Sequence, residues 1–431
     1  MRMGRTVRLG LLGLGTVGKG VYRLLEANRQ LIEQRIGASI EISKIAVRDP
    51  GKDRGITCSE SMLTSDAAEV VRDPNIDIVI ELIGGTDVAR GLISDAIGAG
   101  KHVVTANKAL LAEHGGELRS AARREGVLLA FEGSVGGGIP VIKTIQESLA
   151  ANRVLSIYGI INGTSNYILT KMRDERRPYA DVLVEAQEAG YAETDPTFDV
   201  GGVDSAHKLA ILVNLAFGLE VSSRDIYTEG ITETSPVDIE FGREFGYTLK
   251  LLAIAKSGSG SLEARVHPTL VPDHYPIAQV GGVYNAVQIV GDGVGDLMLC
   301  GRGAGAMPTA SAVLGDVIDI CRSRDTVPAP SFISSADARI QPIEAVASLY
   351  YLRFMVEDKP GVLSEISGVL GRHNISIESV IQKGRDAGRI VPLVIMTHTA
   401  VERDIQNALL ELDQLSAVAL KTVLIRVEAE D

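Results

Sequence analysis

The sequence predicts an α/β chain in three parts: a doubly wound parallel sheet, a mixed α+β segment, and a small βαββαβ module at the C-terminal end. Three observations carry this. Apolar runs of strand length alternate with runs of helical period through residues 1–138, joined by short links. From residue 139 that alternation gives way to helices and strands in mixed order. After a proline-containing stretch, residues 348–431 read β, α, β, β, α, β, a split βαβ of the ferredoxin-like kind.

The elements follow in order. VRLGLL (7–12) is a short buried strand. GLGTVGKG follows it, then VYRLLEANRQLIEQRIG with helical period. EISKIAV (41–47) is a second strand, and NIDIVIELIGG (75–85) a third, closed by paired glycines. DVARGLISDAIGAG is a helix, HVVTAN a strand, KALLAEHGGELRSAARREG a helix and VLLAFEGS a strand. The second part, 139–301, opens with a helix, IPVIKTIQESLAA, and a strand, RVLSIYGII; EARVHPTLV and AVQIVG are further strands. A glycine loop and helix at about 302–322, GRGAGAMPTASAVLGDVIDICRSR, is expected to pack back beside the first part. Residues 323–347 carry three prolines and several small polar residues, which is linker chemistry. In the last part YYLRFMVED is a strand and PGVLSEISGVLGRHN a helix. ISIESVIQKG and RIVPLVIMTHT are strands, AVERDIQNALLELDQL a helix and AVALKTVLIRVE the closing strand.

Composition excludes several function classes. The net charge is -12, from 55 acids against 43 bases, which argues against a nucleic-acid backbone as partner. The three cysteines, Cys58, Cys300 and Cys321, form no CxxC pair, so a reducing, cytoplasmic setting is expected rather than a disulfide framework. The N-terminal apolar run is too short and glycine-broken for a signal peptide. No stretch reaches the roughly 18 uninterrupted apolar residues of a membrane helix.

Gly13, Gly15 and Gly18 give G-x-G-x-x-G between a strand and a helix, enclosing Leu14, Thr16 and Val17. The first glycine permits a tight turn, the second lets a pyrophosphate approach the backbone, and the third lets helix and strand pack closely. The helix N-terminus offers unpaired N–H groups to the anion. A dinucleotide cofactor is expected. At the end of the second strand Arg48 suits a 2′-phosphate, with Lys52 or Arg54 assisting, which favours NADP; Asp49 keeps NAD open. Two later strands end in ELIGG, with Gly84 and Gly85, and in TANKALL, with Thr105 and Lys108. Ligands of open α/β sheets bind outside such ends. Lys108 begins a helix, where the dipole disfavours a cation.

GYAETDPTFDVGGVDSAHKLAIL (190–212) carries Glu193, Asp195, Asp199 and Asp204, then Lys208. Asp204 stands where a helix starts. Lys208, four residues on, shares its face with Ile211, Leu212 and Leu215. An ion pair on an apolar stripe is costly unless something else binds there, so a site is expected. Glu193 and Asp199 would line the same pocket. Acids suit a substrate ammonium, and lysines suit proton transfer or a carboxylate. With a nicotinamide cofactor these groups imply reduction of a carbonyl in an amino acid.

At this point the sequence resembles the homoserine dehydrogenases. The resemblance lies in GLGTVG (13–18), TANK (105–108), EGSVGGGIP (132–140), NGTSNYI (162–168), GYAETDPTFDVGGVDSAHK (190–208) and GRGAGAMPTASAV (301–313). It implies an N-terminal Rossmann dinucleotide-binding domain, an α+β catalytic and dimerisation domain, and the NAD(P)H-dependent reduction of L-aspartate 4-semialdehyde to L-homoserine. It further implies Lys208 as proton donor, Lys108 between cofactor and substrate, and Glu193, Asp199 and Asp204 about the substrate. Gly163 and Thr164 would lie beside the substrate, and Gly190 and Gly303 would approach the cofactor. A monovalent cation, sodium or potassium, is implied on Glu132 and the carbonyls of Val135, Gly137 and Ile139. The C-terminal module, with VEDKPGVLSEIS (356–367), resembles an ACT domain. There Asp358, Gly361, Val362 and Asn374 would hold an amino-acid effector, threonine by resemblance. A homodimer or homotetramer is implied as well. Two other readings stand beside this one: a non-catalytic amino-acid sensor, and a dehydrogenase acting on a related semialdehyde.

Overall fold

A computed structural model describes residues 6–258, 260–323, 339–383 and 389–428. Most of the expected linker, 324–338, lies outside them, as do the last three residues of the C-terminal module.

The chain opens with β1 (Thr6–Leu12), α1 (Thr16–Ile36), β2 (Ser39–Ala46), β3 (Leu63–Thr64) and α2 (Ala67–Arg72). It continues with β4 (Ile78–Glu81), α3 (Asp87–Gly98), β5 (His102–Thr105), α4 (Lys108–Arg124) and β6 (Leu129–Ala130). Next come α5 (Val141–Lys143), β7 (Val154–Ile160), α6 (Gly163–Glu175), α7 (Tyr179–Glu188), α8 (Thr197–Val200) and α9 (Val203–Phe217). Then follow β8 (Tyr227–Thr228), α10 (Pro236–Glu244), β9 (Tyr247–Ser257), β10 (Ser261–Pro272), β11 (Tyr284–Gly291), β12 (Gly295–Arg302) and α11 (Ala306–Ser323). The last elements are β13 (Arg339–Ile340), β14 (Ala347–Glu357), α12 (Val362–Arg372), β15 (Ile377–Gln382), β16 (Ile390–Thr397), β17 (Ala400–Val401), α13 (Glu402–Leu412) and β18 (Val418–Val427).

The chain forms two compact units: residues 1–163, 205–225 and 284–337, and residues 164–204, 226–283 and 338–431. In the first, six strands run in the order β3-β2-β1-β4-β5-β6, all parallel. The inner strands are apolar along their length because helices cover both faces. On one face α1 and α11 share a core: Val21, Leu25 and Ile32 are buried with Val313, Leu314, Val317 and Ile320. A Cβ on Gly20 would stand 2.5 Å from the Ala306 carbonyl oxygen, so this glycine is what lets α11 approach. Helix α11 thus packs against α1 on this face. On the other face α2, α3 and α4 pack Val70, Ile93 and Leu118. An antiparallel set, β12-β11-β7, also belongs to this unit.

In the second unit the order is β9-β10-β18-β14-β16-β15, with β8 and β13 also on β10 and β17 on β14. The βαββαβ order of the last part is found, as β14, α12, β15, β16, α13 and β18 around a core that includes Phe354, Ile366, Leu393 and Ile405. The two sheets of this unit are continuous, because β18 pairs in parallel with β10 (Thr269 with Arg426, Leu270 with Val427).

Three local expectations differ. The strand read from VLLAFEGS is reduced to Leu129–Ala130, and Glu132–Ser134 form a 3-10 turn, because Ser134 N–H and Oγ both donate to the Phe131 carbonyl (3.0 and 2.7 Å). The helix read from IPVIKTIQESLAA is one α-turn followed by a wider π-turn over Thr144–Ser148. Residues 339–347, read as linker, include β13, whose Arg339 and Ile340 pair with Ser261 and Leu262 of β10.

Candidate functional site

The turn between β1 and α1 divides its work among three glycines. Gly13 has φ +97°, and a Cβ there would lie 2.7 Å from the Leu82 carbonyl oxygen. Gly18 would place a Cβ 2.3 Å from the Gly13 carbonyl oxygen, so helix and strand meet only without one. At Gly15 an added Cβ meets nothing within 4 Å: this face is open. Gly15 caps α1 with no side-chain hydrogen bond, and Thr16, Val17 and Gly18 begin the helix. An open backbone at a helix N-terminus, beside a turn that admits only glycine, suits a pyrophosphate. Leu14 is buried beneath it. Arg48 is exposed just past β2; Asp49 accepts the Gly51 N–H at 3.0 Å and so closes a local turn.

The sequence did not single out Glu81, yet this carboxylate organises the neighbouring strand ends. It is wholly buried at the end of β4. Its Oε1 accepts the N–H groups of Ile83 and Gly84 (2.8 and 3.2 Å), and its Oε2 accepts the Thr105 hydroxyl at 2.6 Å. Gly84 and Gly85 have φ of +71° and +75°, and an added Cβ on either meets open space. Asn107 donates to the Gly85 carbonyl at 2.6 Å and caps α4 by accepting the Leu110 N–H at 3.2 Å. Lys108 is the first residue of that capped helix. The carboxylate thus fixes both the glycine turn and the start of the helix that carries Lys108. A lone acid ending an apolar strand, IVIE, was the signal available.

Glu132 is 3% exposed. Its two carboxylate oxygens accept the N–H groups of Ile142 and Lys143, each at 2.8 Å, and its own N–H donates to Asp316 at 2.8 Å. Burial raises its pKa against the pull of those bonds, and burial pushes Asp316 up to about 7. Gly136 and Gly137 follow with φ of +71° and +55°, and a Cβ on Gly137 would meet the Gly303 carbonyl carbon at 2.6 Å. A Cβ on Gly303 would meet Asn285, whose Oδ1 is buried with no hydrogen-bond partner. Val135 and Ile139 are buried, and the Ile139 carbonyl accepts the Val141 N–H at 2.8 Å. The groups expected to hold a monovalent cation, the Glu132 carboxylate and the carbonyls of Val135, Gly137 and Ile139, are all oxygens, the ligand type that hard cations prefer. Among the described residues no cluster of three or more His, Cys, Asp or Glu side chains could hold a metal ion.

In the second unit α6 begins with two hydroxyls that hold one segment. Thr164 Oγ1 donates to the Tyr191 carbonyl at 2.7 Å, and Ser165 Oγ to the Asp199 carbonyl at 3.1 Å. Gly190, with φ +74°, and exposed Glu193 lie on that segment, and Gln187 donates to the Glu193 carbonyl at 3.0 Å. Thr164, Gly190, Glu193 and Asp199 are therefore brought together as one assembly. Asp204 stands in the first turn of α9 and Lys208 one turn further, 2% and 7% exposed. Lys208 donates from Nζ to the Ile161 carbonyl at 2.7 Å, near Gly163 in sequence. So the lysine expected on an apolar stripe is buried.

In the C-terminal module Gly361, φ +100°, caps α12 with no side-chain hydrogen bond, and Val362 is buried as its first residue. Asp358 N–H donates to the Arg389 carbonyl at 2.9 Å, and Asn374 sits at φ +59° after the same helix. Among the described residues no helix is long and apolar enough to cross a membrane.

Comparison with known proteins adds three family matches. Residues 13–132 match the NAD-binding domain of homoserine dehydrogenase, residues 140–318 match homoserine dehydrogenase, and residues 350–417 match the ACT domain. The homoserine dehydrogenase of Pseudomonas aeruginosa is 46% identical, over 98% of this chain and 99% of that protein. That of Bacillus subtilis is 39% identical over 98% and 99%. A crystal structure of a homoserine dehydrogenase from Thiobacillus denitrificans has a TM-score of 0.94 at 45% identity, covering 99% of both chains. A hyperthermophilic archaeal homoserine dehydrogenase in complex with NADPH has a TM-score of 0.64 at 25% identity, over 75% of this chain and 100% of that one.

Proposed function

The chain belongs to the homoserine dehydrogenase family, oxidoreductases acting on a CH–OH group with a nicotinamide dinucleotide, and we propose that in the interconversion of L-aspartate 4-semialdehyde and L-homoserine Lys208 carries the proton. The observation behind this is its burial: an ammonium 7% exposed, on a helix face that is apolar beyond Asp204, with a backbone carbonyl among its hydrogen-bond partners. Desolvation makes an ammonium readier to give up its proton, and a group so placed can pass it to the oxygen of a reducing carbonyl. In the reverse direction the same amine takes the hydroxyl proton of homoserine.

Gly13 to Gly18 would hold the dinucleotide's pyrophosphate, with Gly84, Gly85, Thr105, Gly190 and Gly303 along it. When bound, the dinucleotide supplies or accepts the hydride. Arg48 favours the 2′-phosphate of NADP(H), in keeping with the NADPH bound by the archaeal relative, while NAD(H) remains usable beside Asp49. Lys108, at the start of the helix α4 that Asn107 caps, would sit between cofactor and substrate. Glu193, Asp199 and Asp204 would hold its ammonium and hydroxyl, with Gly163 and Thr164 beside it. Glu132, Val135, Gly137 and Ile139 would bind sodium or potassium. The ACT domain would bind threonine through Asp358, Gly361, Val362 and Asn374 and work as a feedback sensor in a homodimer or homotetramer. Residues 1–138 with about 302–322 would serve the cofactor, 139–301 the chemistry and 348–431 regulation.

The test is steady-state oxidation of homoserine with NADP+ and with NAD+, with and without threonine. The account expects turnover with both, a higher kcat/KM with NADP+, and inhibition by threonine. Cofactor binding without homoserine-dependent turnover would favour a non-catalytic sensor. Faster turnover of a different hydroxy-amino acid would reassign the substrate.

A further inference from the structure

Another buried lysine has no place in the reaction just described. Lys250 lies in the apolar strand β9 and is 1% exposed. Its Nζ donates to the Val280 carbonyl at 2.6 Å and, more weakly, to Asn166 Oδ1 at 3.4 Å. Neither partner is a carboxylate, so the charge is stabilised by two neutral acceptors. Asn166 in turn donates from Nδ2 to the carbonyls of Val280 and Gly282, at 3.2 and 3.0 Å. Thr170, one turn along, accepts the Gly282 N–H at 3.0 Å and donates to the Asn166 carbonyl at 2.6 Å. Helix α6 is thereby tied to the 280–282 turn through a core in which Lys250 is buried.

The same helix presents Thr164 and Ser165, which hold the carbonyls of Tyr191 and Asp199. Lys250 is thus linked through Asn166 and α6 to the segment that carries Glu193 and Asp199. We propose that Lys250 is a positioning residue, which fixes the start of α6 and through it the substrate-holding segment 190–199. This rests on the substrate assignment made above for that segment.

An amine and an ammonium can both reach two acceptors, but the ammonium grips them harder. Burial, and after it the charge of Arg173, bring the pKa of Lys250 down to about 7 against the opposing pull of Asp174, both residues being on α6; β10 sets uncharged Thr269 opposite it. The grip therefore loosens as pH rises through 7, and substrate affinity falls with it.

The test compares wild type with Lys250→Met, close in volume and apolar, and with Asn166→Ala, which cuts the same tie from its other end. Homoserine kinetics are run from pH 6 to 8.5 beside titration of NADPH binding. Lys250→Met is expected to raise KM for homoserine about tenfold at pH 6.5, with NADPH affinity unchanged. The wild-type rise of KM through pH 7 should be absent in it. Asn166→Ala should raise KM as well. A purely structural lysine would change stability and leave the pH profile of KM alone. An active wild type with unchanged kinetics in both variants would overturn this inference by itself. So would failure of both variants to fold, which would make the cluster a folding determinant. A wild type with no homoserine turnover would instead remove the reaction on which both readings stand.

Discussion

A Cβ added to Gly15 would meet nothing within 4 Å, whereas the Arg426 guanidinium, where β18 joins β10, is 2% exposed and held by two carboxylates. Its Nε and Nη2 reach both oxygens of Glu402 (2.9 and 2.6 Å), its Nη1 reaches Glu229 at 2.9 Å, and it lies over the Tyr227 ring. Tyr350 donates its hydroxyl to Glu402 at 3.0 Å, and Arg353 and Tyr351 close on Asp238 in the same unit. One region leaves backbone donors and space open; the other pairs its charges within the protein. A binding site needs unmet valence, and a load-transmitting seam needs none. The difference means that damage to the two regions should be read by different instruments.

The largest expected effect is at the seam. Glu402→Ala would leave Arg426 buried without its bidentate partner, at a cost of about 3–5 kcal/mol of stability. Denaturant titration should show this while NADPH affinity in the folded protein stays at the wild-type value. A variant that loses cofactor affinity but keeps its stability would break the comparison. Next is Gly15→Val. Gly15 has φ -80°, which any residue adopts, and open space for a side chain. Stability should be unchanged while NADPH binding weakens at least tenfold, about 1.4 kcal/mol. The smallest is a pH effect at Lys250, whose folded pKa of about 7 lies below its ordinary value of 10.5. Above pH 7 the unfolded chain binds the proton that the folded one has released, so this destabilisation is full below 7 and fades towards 10.5. Wild type should gain about 1 kcal/mol relative to Lys250→Met between pH 7.5 and 8.5. No differential gain would mean that Lys250 keeps its proton.

Much of the fold was legible in the sequence because its signals are local. The glycines after β1, the alternation of strand and helix, and the split βαβ of the last part each need a short window. The burial of Lys208 was legible for a related reason: a charge on an apolar stripe four residues from an acid is a local contradiction. Lys250 presents the same contradiction in YTLKLLAIA and was passed over, because an isolated lysine in a strand names no partner. Glu81, Asn107 and Asp316 take their meaning from groups brought close by folding: Glu81 from Thr105, and Asp316 from Glu132 far along the chain. Arg426 with Glu229 is the extreme case. The shortening of VLLAFEGS followed from Ser134 turning back on Phe131, a competition between side chain and strand that apolar periodicity does not register.

The most direct measurement is single-turnover and steady-state oxidation of homoserine by Lys208→Ala beside wild type, with NADPH titrated into both. Proton transfer by a placed side chain is worth about 10²–10⁴ in rate. The account predicts a loss of kcat in that range with NADPH affinity within about twofold of wild type. Wild-type kcat in the variant across the whole pH range would contradict it and move the proton to another group.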